Sequence, residues 1–513
     1  MKEKKYFAHH LIVPGTIEER EYQKNILETC KRKNTLVVLP TGMGKTPISV
    51  MLAAERLDEF PDSKILIMAP TKPLCAQHEK SFRKFFDISK KEIMLVTGKI
   101  PPQNRKEYYN FGKIICATPQ TIANDVEKKV VNLEKFSLLI VDEVHRAVKK
   151  YSYPYVCRKY MQQAANPRIL GLTASPGSSE EKIQDICKNL FVEAVEIRGE
   201  KDGDVKQYMH EMELEQVKVE LTDEMKRIQS SLKFALRERL EKLKSYRVHV
   251  YTKSDLIIAQ KRVQRMLSAN RNPIYFHQIS LIAETVKVWH ALELLETQSL
   301  KALKLYFDRL KAKTDKSSER MLNDLRIVNA KRTVELMLEG KKEHPKILKL
   351  REIITEELKK NKNIKIIVFS HFRDNIERVY EYLKGIENCK PVILIGQAGE
   401  RGLKQKEQID IIKDYEAYIY NVLITSPIGE EGLNLVGSDI AIFYEPVSSE
   451  IRTLQRRGRV GRFKAGKVIF LITKGTRDET NFYISRRKEK NMKEILRGMQ
   501  ENGMKRQKGL GEF

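Results

Sequence analysis

The chain has 513 residues, with 95 Lys and Arg against 68 Asp and Glu, a formal net charge of +27 and 41% hydrophobic residues. That balance excludes a short peptide, a collagen-like repeat and a wholly disordered tail, and the length leaves room for about three domains, each with its own core. So basic a folded chain points to a polyanionic partner, nucleic acid ahead of an anionic membrane, although a lysine-rich, heat-adapted surface would give the same count.

The leading segment MKEKKYFAHHLIVPG contains only the short apolar run Leu11 to Val13, where a secretory signal needs about 7–15 residues. No stretch approaches the roughly 20 apolar residues of a membrane span. An intracellular, cytoplasmic protein without a membrane partner is expected. Cys30, Cys75, Cys116, Cys157, Cys187 and Cys389 form no C-x-x-C pair, so no zinc or iron–sulfur site is expected and the thiols read as reduced and mostly buried.

From Leu36 to Ile197 the short runs TLVVLP, KILIMAP, EIMLVTG, KIICATP, FSLLIVDE and RILGLTAS alternate with helical stretches. Continuous apolar, β-branched runs of this kind are buried on both faces, the signature of a parallel sheet in an α/β domain. The first run leads straight into TGMGKT, Thr41 to Thr46, and then into the helical PISVMLAAERL. A glycine-rich turn between strand and helix lets backbone N–H groups approach phosphates, with Lys45 reaching the β- and γ-phosphates and Thr46 binding Mg²⁺. Leu39 stands where the general pattern has its first glycine, so the strand–loop–helix context carries the assignment. The run LLIVDEVH, Leu138 to His145, delivers two carboxylates at the end of a buried strand. Open α/β sheets bind ligands at that edge. Asp142 suits an Mg²⁺ ligand and Glu143 a residue that polarises the attacking water; an acidic cap after a strand would explain one carboxylate, not this pair downstream of a phosphate loop.

Residues from about Leu221 to Gly340 carry no strand runs. Ile279, Ile282, Val286 and Trp289 step along one helix face, as do Leu300, Leu303, Phe307 and Leu310, and both stripes are expected to face a core. A polar loop is expected at KAKTDKSSER, Lys311 to Arg320, and Arg262, Arg265, Arg271, Lys331 and Arg332 could form a phosphate-contacting face. The strand grammar returns in KIIVFSH, PVILIGQ, NVLITSP, IAIFYEP and KVIFLIT. The expected division is an α/β domain over 1–212, a helical insert over 213–340 and a second α/β domain with a C-terminal helix and tail over 341–513. Between the last two runs lies QRRGRVGR, with Gln455, Arg456, Arg457, Arg459 and Arg462 around two glycines. A solvated basic loop is the plain reading of such a run. In a two-domain phosphoryl-transfer machine it is what an arginine finger needs, permanently charged planar donors presented across a cleft.

Taken in order, these blocks resemble superfamily 2 helicases. REYQ (Arg20 to Gln23) resembles the adenine-reading element, PTGMGKT motif I, APTKPLCAQH motif Ia, ATPQT motif Ib, DEVH motif II, TASPG motif III, VFSHFRDN motif IV, TSPIGEEGLNL motif V and QRRGRVGR motif VI. The helical insert, FYEPVSSEIRTLQRRGRVGR and the trailing GTRDETNFYISRRKEKNM narrow the resemblance to archaeal Hef and its FANCM relatives. The resemblance implies two RecA-like parallel-sheet domains with ATP and Mg²⁺ between them, and an α-helical insert that grips branched DNA. It implies 3′ to 5′ movement on forks and other branched DNA. By the same route Arg20 and Gln23 serve adenine; Pro40, Thr41, Gly42, Met43, Gly44, Lys45 and Thr46 the phosphates; Gly432 and Asn434 the sugar; Glu143 and Gln455 the water; and Arg459 and Arg462 the γ-phosphate. Thr71, Lys72, Thr118, Ser370, Gly396, Gln397 and Thr425 are the expected nucleic-acid contacts, and His145, Thr173 and Ser175 the coupling residues. Motif V departs from the family's usual GLD by reading GLN, and Asn434 can still hydrogen-bond a ribose hydroxyl. No E-R-K nuclease signature is present, so a structure-specific nuclease is expected either on a separate polypeptide or on a part of the protein that this sequence does not include. A sliding clamp is a further expected partner. The alternatives are a double-stranded RNA translocase of the Dicer and RNA-sensor type, and a basic DNA-binding scaffold with an inactive motor.

Overall fold

The computed structural model describes residues 5–148, 151–199, 202–208, 212–270, 272–396, 402–426, 438–447 and 466–502. Two parallel sheets flank a helical bundle. The first contains β1 (Thr35–Val38), β2 (Lys64–Met68), β3 (Ile93–Val96), β4 (Ile114–Ala117), β5 (Phe136–Asp142), β6 (Ile169–Thr173) and β7 (Ala194–Ile197), in the order β3-β4-β2-β5-β6-β1-β7. Alternate residues of each strand feed opposite layers of helices. Leu139 and Val141 of β5 enter one core, while Leu138 and Ile140 enter the other.

The second sheet contains β8 (Met212–Val219), β9 (Ile366–Phe369), β10 (Pro391–Leu394), β11 (Val422–Thr425), β12 (Ile440–Phe443) and β13 (Gly466–Thr473), in the order β10-β11-β9-β12-β13-β8. Here the expected division of the chain needs correction. Residues 213–219, expected in the helical insert, belong to β8, which pairs in parallel with β13 along its whole length. It is an edge strand, and its charged, alternating sequence suits that position.

Between β8 and β9, the helices Asp223–Ser245, Lys253–Ala269, Pro273–Thr297, Leu300–Lys311, Lys316–Leu322 and Leu325–Glu339 form the bundle. Each begins on a residue whose side chain accepts a first-turn N–H: Thr222, Thr252, Asn272, Ser299, Asp315 and Asp324. Both expected stripes pack into one core, with Ile282, Trp289, Leu303 and Phe307 buried and Ile279 and Val286 against them. The expected loop over 311–320 is helical from Lys316, because Asp315 accepts the Ser318 N–H and hydroxyl and binds Lys287.

The bundle docks on the second sheet. Gln298 Nε2 donates to Glu445 Oε1 at 2.7 Å, the Arg477 N–H to Glu296 at 3.2 Å, and the Arg477 guanidinium covers Trp289 at 4.8 Å. The last described helix, Arg477–Asn502, runs the other way: Phe482 belongs to the second sheet's core, Met492 and Leu496 to the first sheet's. Among the described residues no helix is long and apolar enough to cross a membrane. Cys30, Cys75, Cys116, Cys157 and Cys187 are buried free thiols and Cys389 is partly buried.

Candidate active site and nucleic-acid interface

All strands of the first sheet are parallel, so their C-terminal ends share one edge. Adjacent β1, β6 and β5 deliver the phosphate-type loop, Thr173 with Ser175, and Asp142 with Glu143. On the other side of β5, β2 and β4 deliver Thr71 and Thr118.

Leaving β1, the chain turns through Pro40, Thr41 and Gly42, then Met43 and Gly44, into the helix Lys45–Glu59. Gly42 and Gly44 have φ of +91° and +78°, the left-handed region that only glycine enters without strain. Lys45 Nζ donates to Leu39 O at 3.1 Å, and Thr46 stands in the first helical turn. Met43 is buried, and its carbonyl accepts the Tyr22 hydroxyl at 2.7 Å.

Gln23, expected to read adenine, is buried beneath this loop. Its Nε2 faces Tyr22 Oη at 3.4 Å, Met43 O at 3.5 Å and Gly44 O at 3.4 Å. It braces the loop's backbone. Arg20 donates to Glu18 at 3.2 Å and to Tyr22 Oη at 3.4 Å, with its guanidinium 5.5 Å from the centre of the Tyr208 ring. Tyr208 carried no motif signal in the sequence.

Asp142 ends β5 and is held at both oxygens. Oδ1 accepts the Glu143 N–H at 2.9 Å and Oδ2 accepts His78 Nε2–H at 2.8 Å. Burial opposes its ionisation, but the His78 hydrogen bond and charge, with Lys45 nearby, outweigh that and hold the carboxyl below its usual range. Tyr153 Oη donates to the Asp142 carbonyl at 2.7 Å. Glu143 has φ +53°, a conformation a non-glycine residue keeps only where surrounding structure imposes it. Glu143 Oε2 is buried without a hydrogen-bond partner, 3.2 Å from His145 Nδ1, which is equally unpartnered. The Thr46 hydroxyl, the Asp142 carboxylate and that orphaned Glu143 oxygen are hard donors of the kind Mg²⁺ takes. Thr173 Oγ1 accepts the Ser175 N–H at 3.1 Å, and Ser175 Oγ donates to Met492 Sδ at 3.0 Å, so the loop after β6 touches the helix that returns from the second half.

The expected nucleic-acid contacts divide. Thr71 is the N-cap of the helix Lys72–Phe85, yet its Oγ1 is buried and unpartnered. Lys72 lies against Lys99; slight burial and this like charge lower its pKa. Thr118 caps the helix Pro119–Glu127 and shares a 2.8 Å hydrogen bond with Thr121. On the second sheet the expectation needs correction: Ser370 and Thr425 are fully buried. Ser370 Oγ donates to Glu445 at 3.0 Å and accepts from Asn375 at 3.0 Å, and Thr425 Oγ1 donates to Ser426 O at 3.1 Å. Their hydroxyls organise the strand ends and do not reach the surface. Gly396 is buried too, its carbonyl accepting from Arg373 at 3.2 Å. Gln397, Gly432, Asn434, Gln455, Arg459 and Arg462 lie outside the described residues, as does Arg271. In the bundle Arg262, Arg265 and Arg332 are exposed, while Lys331 pairs with Glu335 at 3.8 Å.

Three family models match: "DEAD/DEAH box helicase" over residues 20–183, "Helicase conserved C-terminal domain" over 346–464, and "Putative ATP-dependent RNA helicase, helical bundle" over 224–344. The crystal structure of the Pyrococcus furiosus Hef helicase domain superposes with a TM-score of 0.73 at 39% identity, over 91% of this chain and 98% of that one. A Methanocaldococcus jannaschii protein, described like the bundle model as an ATP-dependent RNA helicase, is 38% identical over 96% of this chain and 63% of its own length. An ATP-dependent DNA helicase of Neurospora crassa is 31% identical over 90% of this chain and 41% of its own. The chain thus spans about three fifths and two fifths of these curated relatives.

Proposed function

The chain belongs to the Hef and FANCM family of superfamily 2 helicases, and from that premise we propose that it is an ATP-driven DNA translocase that remodels forks and other branched DNA, moving 3′ to 5′. The observation that carries this reading is the shared edge of the first sheet, where phosphate-type and nucleic-acid-type positions end neighbouring strands.

In this reading Lys45 and the N–H groups of its helix's first turn bind the β- and γ-phosphates. Thr46 and Asp142 would hold Mg²⁺, which would supply positive charge to the phosphates. Glu143, with a buried oxygen that has no other partner, accepts the proton of the attacking water, and Gln455 helps to orient it. Arg459 and Arg462 come from the second half to the γ-phosphate, a contribution worth about 10³–10⁵ in rate where arginine fingers operate. Arg20 and Gln23 serve the adenine end, Gln23 also through the loop it braces, and Asn434 bonds the ribose. Binding across the cleft draws the halves together, and His145, Thr173 and Ser175 relay that closure. Thr71, Lys72 and Thr118, with Arg262, Arg265 and Arg332 of the bundle, contact the sugar–phosphate backbone, which gives sequence independence and steep salt sensitivity. A separate nuclease or sliding clamp completes the proposed set of partners.

The descriptions of the bundle model and of the archaeal relative favour a second reading, a translocase on double-stranded RNA. ATP turnover measured with forked DNA, linear duplex DNA and duplex RNA decides between them: the first reading requires the largest stimulation by forks, and stimulation by RNA alone overturns it. Lys45→Ala and Glu143→Gln must lose nearly all turnover; undiminished rates would leave only a DNA-binding scaffold. Displacement from 3′-tailed and 5′-tailed substrates tests the polarity.

A further inference from the structure

The helix Lys72–Phe85 joins two places that the sequence treats separately. At its N-terminal end Thr71 Oγ1 is buried without a partner, although an N-cap threonine ordinarily accepts a first-turn N–H, and Lys72 faces Lys99. The accessible part of this helix end is the pair Lys72 and Lys99, two like charges that a phosphate would neutralise. Six residues on, roughly 9 Å along the axis at 1.5 Å per residue, His78 is buried and donates from Nε2 to Asp142 Oδ2 at 2.8 Å. Its other nitrogen, Nδ1, is buried and makes no hydrogen bond. A leucine would fill that space without leaving a polar atom stranded, so packing alone does not account for an imidazole there. Its one hydrogen bond fixes the plane of the Asp142 carboxylate, because the other oxygen is already held by the Glu143 N–H.

We propose that this helix is the lever through which nucleic acid at Thr71 and Lys72 sets the orientation of Asp142, with His78 as the positioning residue. The proposal rests on the function proposed above. The helix is rigid over two turns, and a shift at its head moves His78 with it. A metal ligand tolerates little displacement, since Mg²⁺ demands near-ideal geometry at about 2.0–2.1 Å. Coupling between two sites is reciprocal. If nucleic acid acts on Asp142 through His78, Mg²⁺–nucleotide must act on nucleic-acid affinity through the same hydrogen bond.

The test is the affinity of the full chain for a forked DNA oligonucleotide, read by fluorescence anisotropy with and without the Mg²⁺ complex of the β,γ-imido analogue of ATP. Wild type is expected to change affinity by about tenfold on adding the analogue, within the usual range for coupled sites. His78→Leu should bind DNA within about twofold of wild type without nucleotide, and show no such change on adding the analogue. His78→Gln, whose amide nitrogen can replace Nε2 as donor, should keep most of it. His78→Asn, which ends one bond short, should behave as the leucine variant and covers the case in which leucine disturbs folding. Retention of the wild-type response in both Leu and Asn variants overturns the proposal, as does equal loss in Gln and Leu. Absence of DNA binding, or of any response to the analogue in wild type, would count against the proposed function instead.

Discussion

Replacing Gly44 by alanine tests the relation between the phosphate loop and Gln23. A Cβ added at Gly44 would lie 2.2 Å from Gln23 Nε2 and 3.6 Å from Pro47 Cγ, at φ +78°. Two costs arise. Holding alanine in the left-handed region costs about 1–2 kcal/mol. Expelling a buried amide from its hydrogen bonds with Tyr22, Met43 and Gly44 adds about 1–3 kcal/mol for the groups left unsatisfied. Relaxing the loop to avoid both would displace the N–H groups proposed to face the phosphates, so a loss of about 2–5 kcal/mol, roughly thirty- to five-thousandfold, is expected in affinity for a fluorescent ATP analogue. The double variant Gln23→Ala/Gly44→Ala removes the collision and keeps the backbone cost, with the smaller loss of what Gln23 itself contributes. It should bind the analogue better than Gly44→Ala alone, at about a tenfold loss from wild type. If Gln23 acted only by reading adenine, the second substitution would weaken binding further. Titration of wild type, Gln23→Ala, Gly44→Ala and the double variant with adenine and guanine analogues separates the cases, and a double variant weaker than Gly44→Ala refutes the bracing argument.

Three further outcomes follow from buried ion pairs and from the basic face of the bundle. Asp125 is fully buried and accepts from Arg105 Nε at 2.7 Å and from Tyr109 Oη at 2.6 Å; Asp125→Ala strands a guanidinium that cannot shed its charge and should cost about 3–5 kcal/mol, seen as about 10²- to 10⁴-fold faster amide exchange over residues 102–127. Combining Arg262→Ala, Arg265→Ala and Arg332→Ala should weaken fork binding equally across sequences and reduce the salt slope by about one unit for each phosphate no longer neutralised; an unchanged slope removes that face from the interface. Glu293 is opposed by burial but held down to about 2 by His290, Lys253 and Arg477. With an unfolded value of about 4.3, its contribution is complete above that pH and is lost as pH falls towards 2, amounting to about 3 kcal/mol. Trp289, the single tryptophan, lies against Arg477 and reports this joint by fluorescence; Glu293→Gln should flatten the acid transition, and an unaltered transition contradicts the assignment.

Strands buried on both faces were legible because their composition alone demands that environment, as in LLIVD or IIVF. β8 was not, since Glu213, Glu215 and Lys218 break its apolar pattern and its partner β13 lies more than two hundred residues downstream. The glycine turn before Lys45 and the place of Asp142 and Glu143 at a strand end could be read locally, because both are set by a few neighbouring residues. His78 and Tyr208 could not. The first acts on a residue 64 positions away and the second through its ring beside Arg20. Ser370 and Thr425 escape a local reading for the same reason: a motif marks a strand end, but whether its hydroxyl faces solvent depends on distant groups, for Ser370 on Glu445 and Asn375.

The helix Arg477–Asn502 gives the molecule an order of assembly. Met492 and Leu496 are part of the core built by the first sheet, whose strands all lie before residue 198. During synthesis the leading half therefore waits for about three hundred further residues, roughly 15–60 s at 5–20 residues per second. Throughout that interval the groove destined for Met492 and Leu496 is open, and the loop bearing Ser175 lacks its sulfur partner. The nascent chain is thus exposed to chaperones, and to aggregation, for longer than its domain order along the sequence would suggest, and the motor's first half becomes complete only when the second half has already been made.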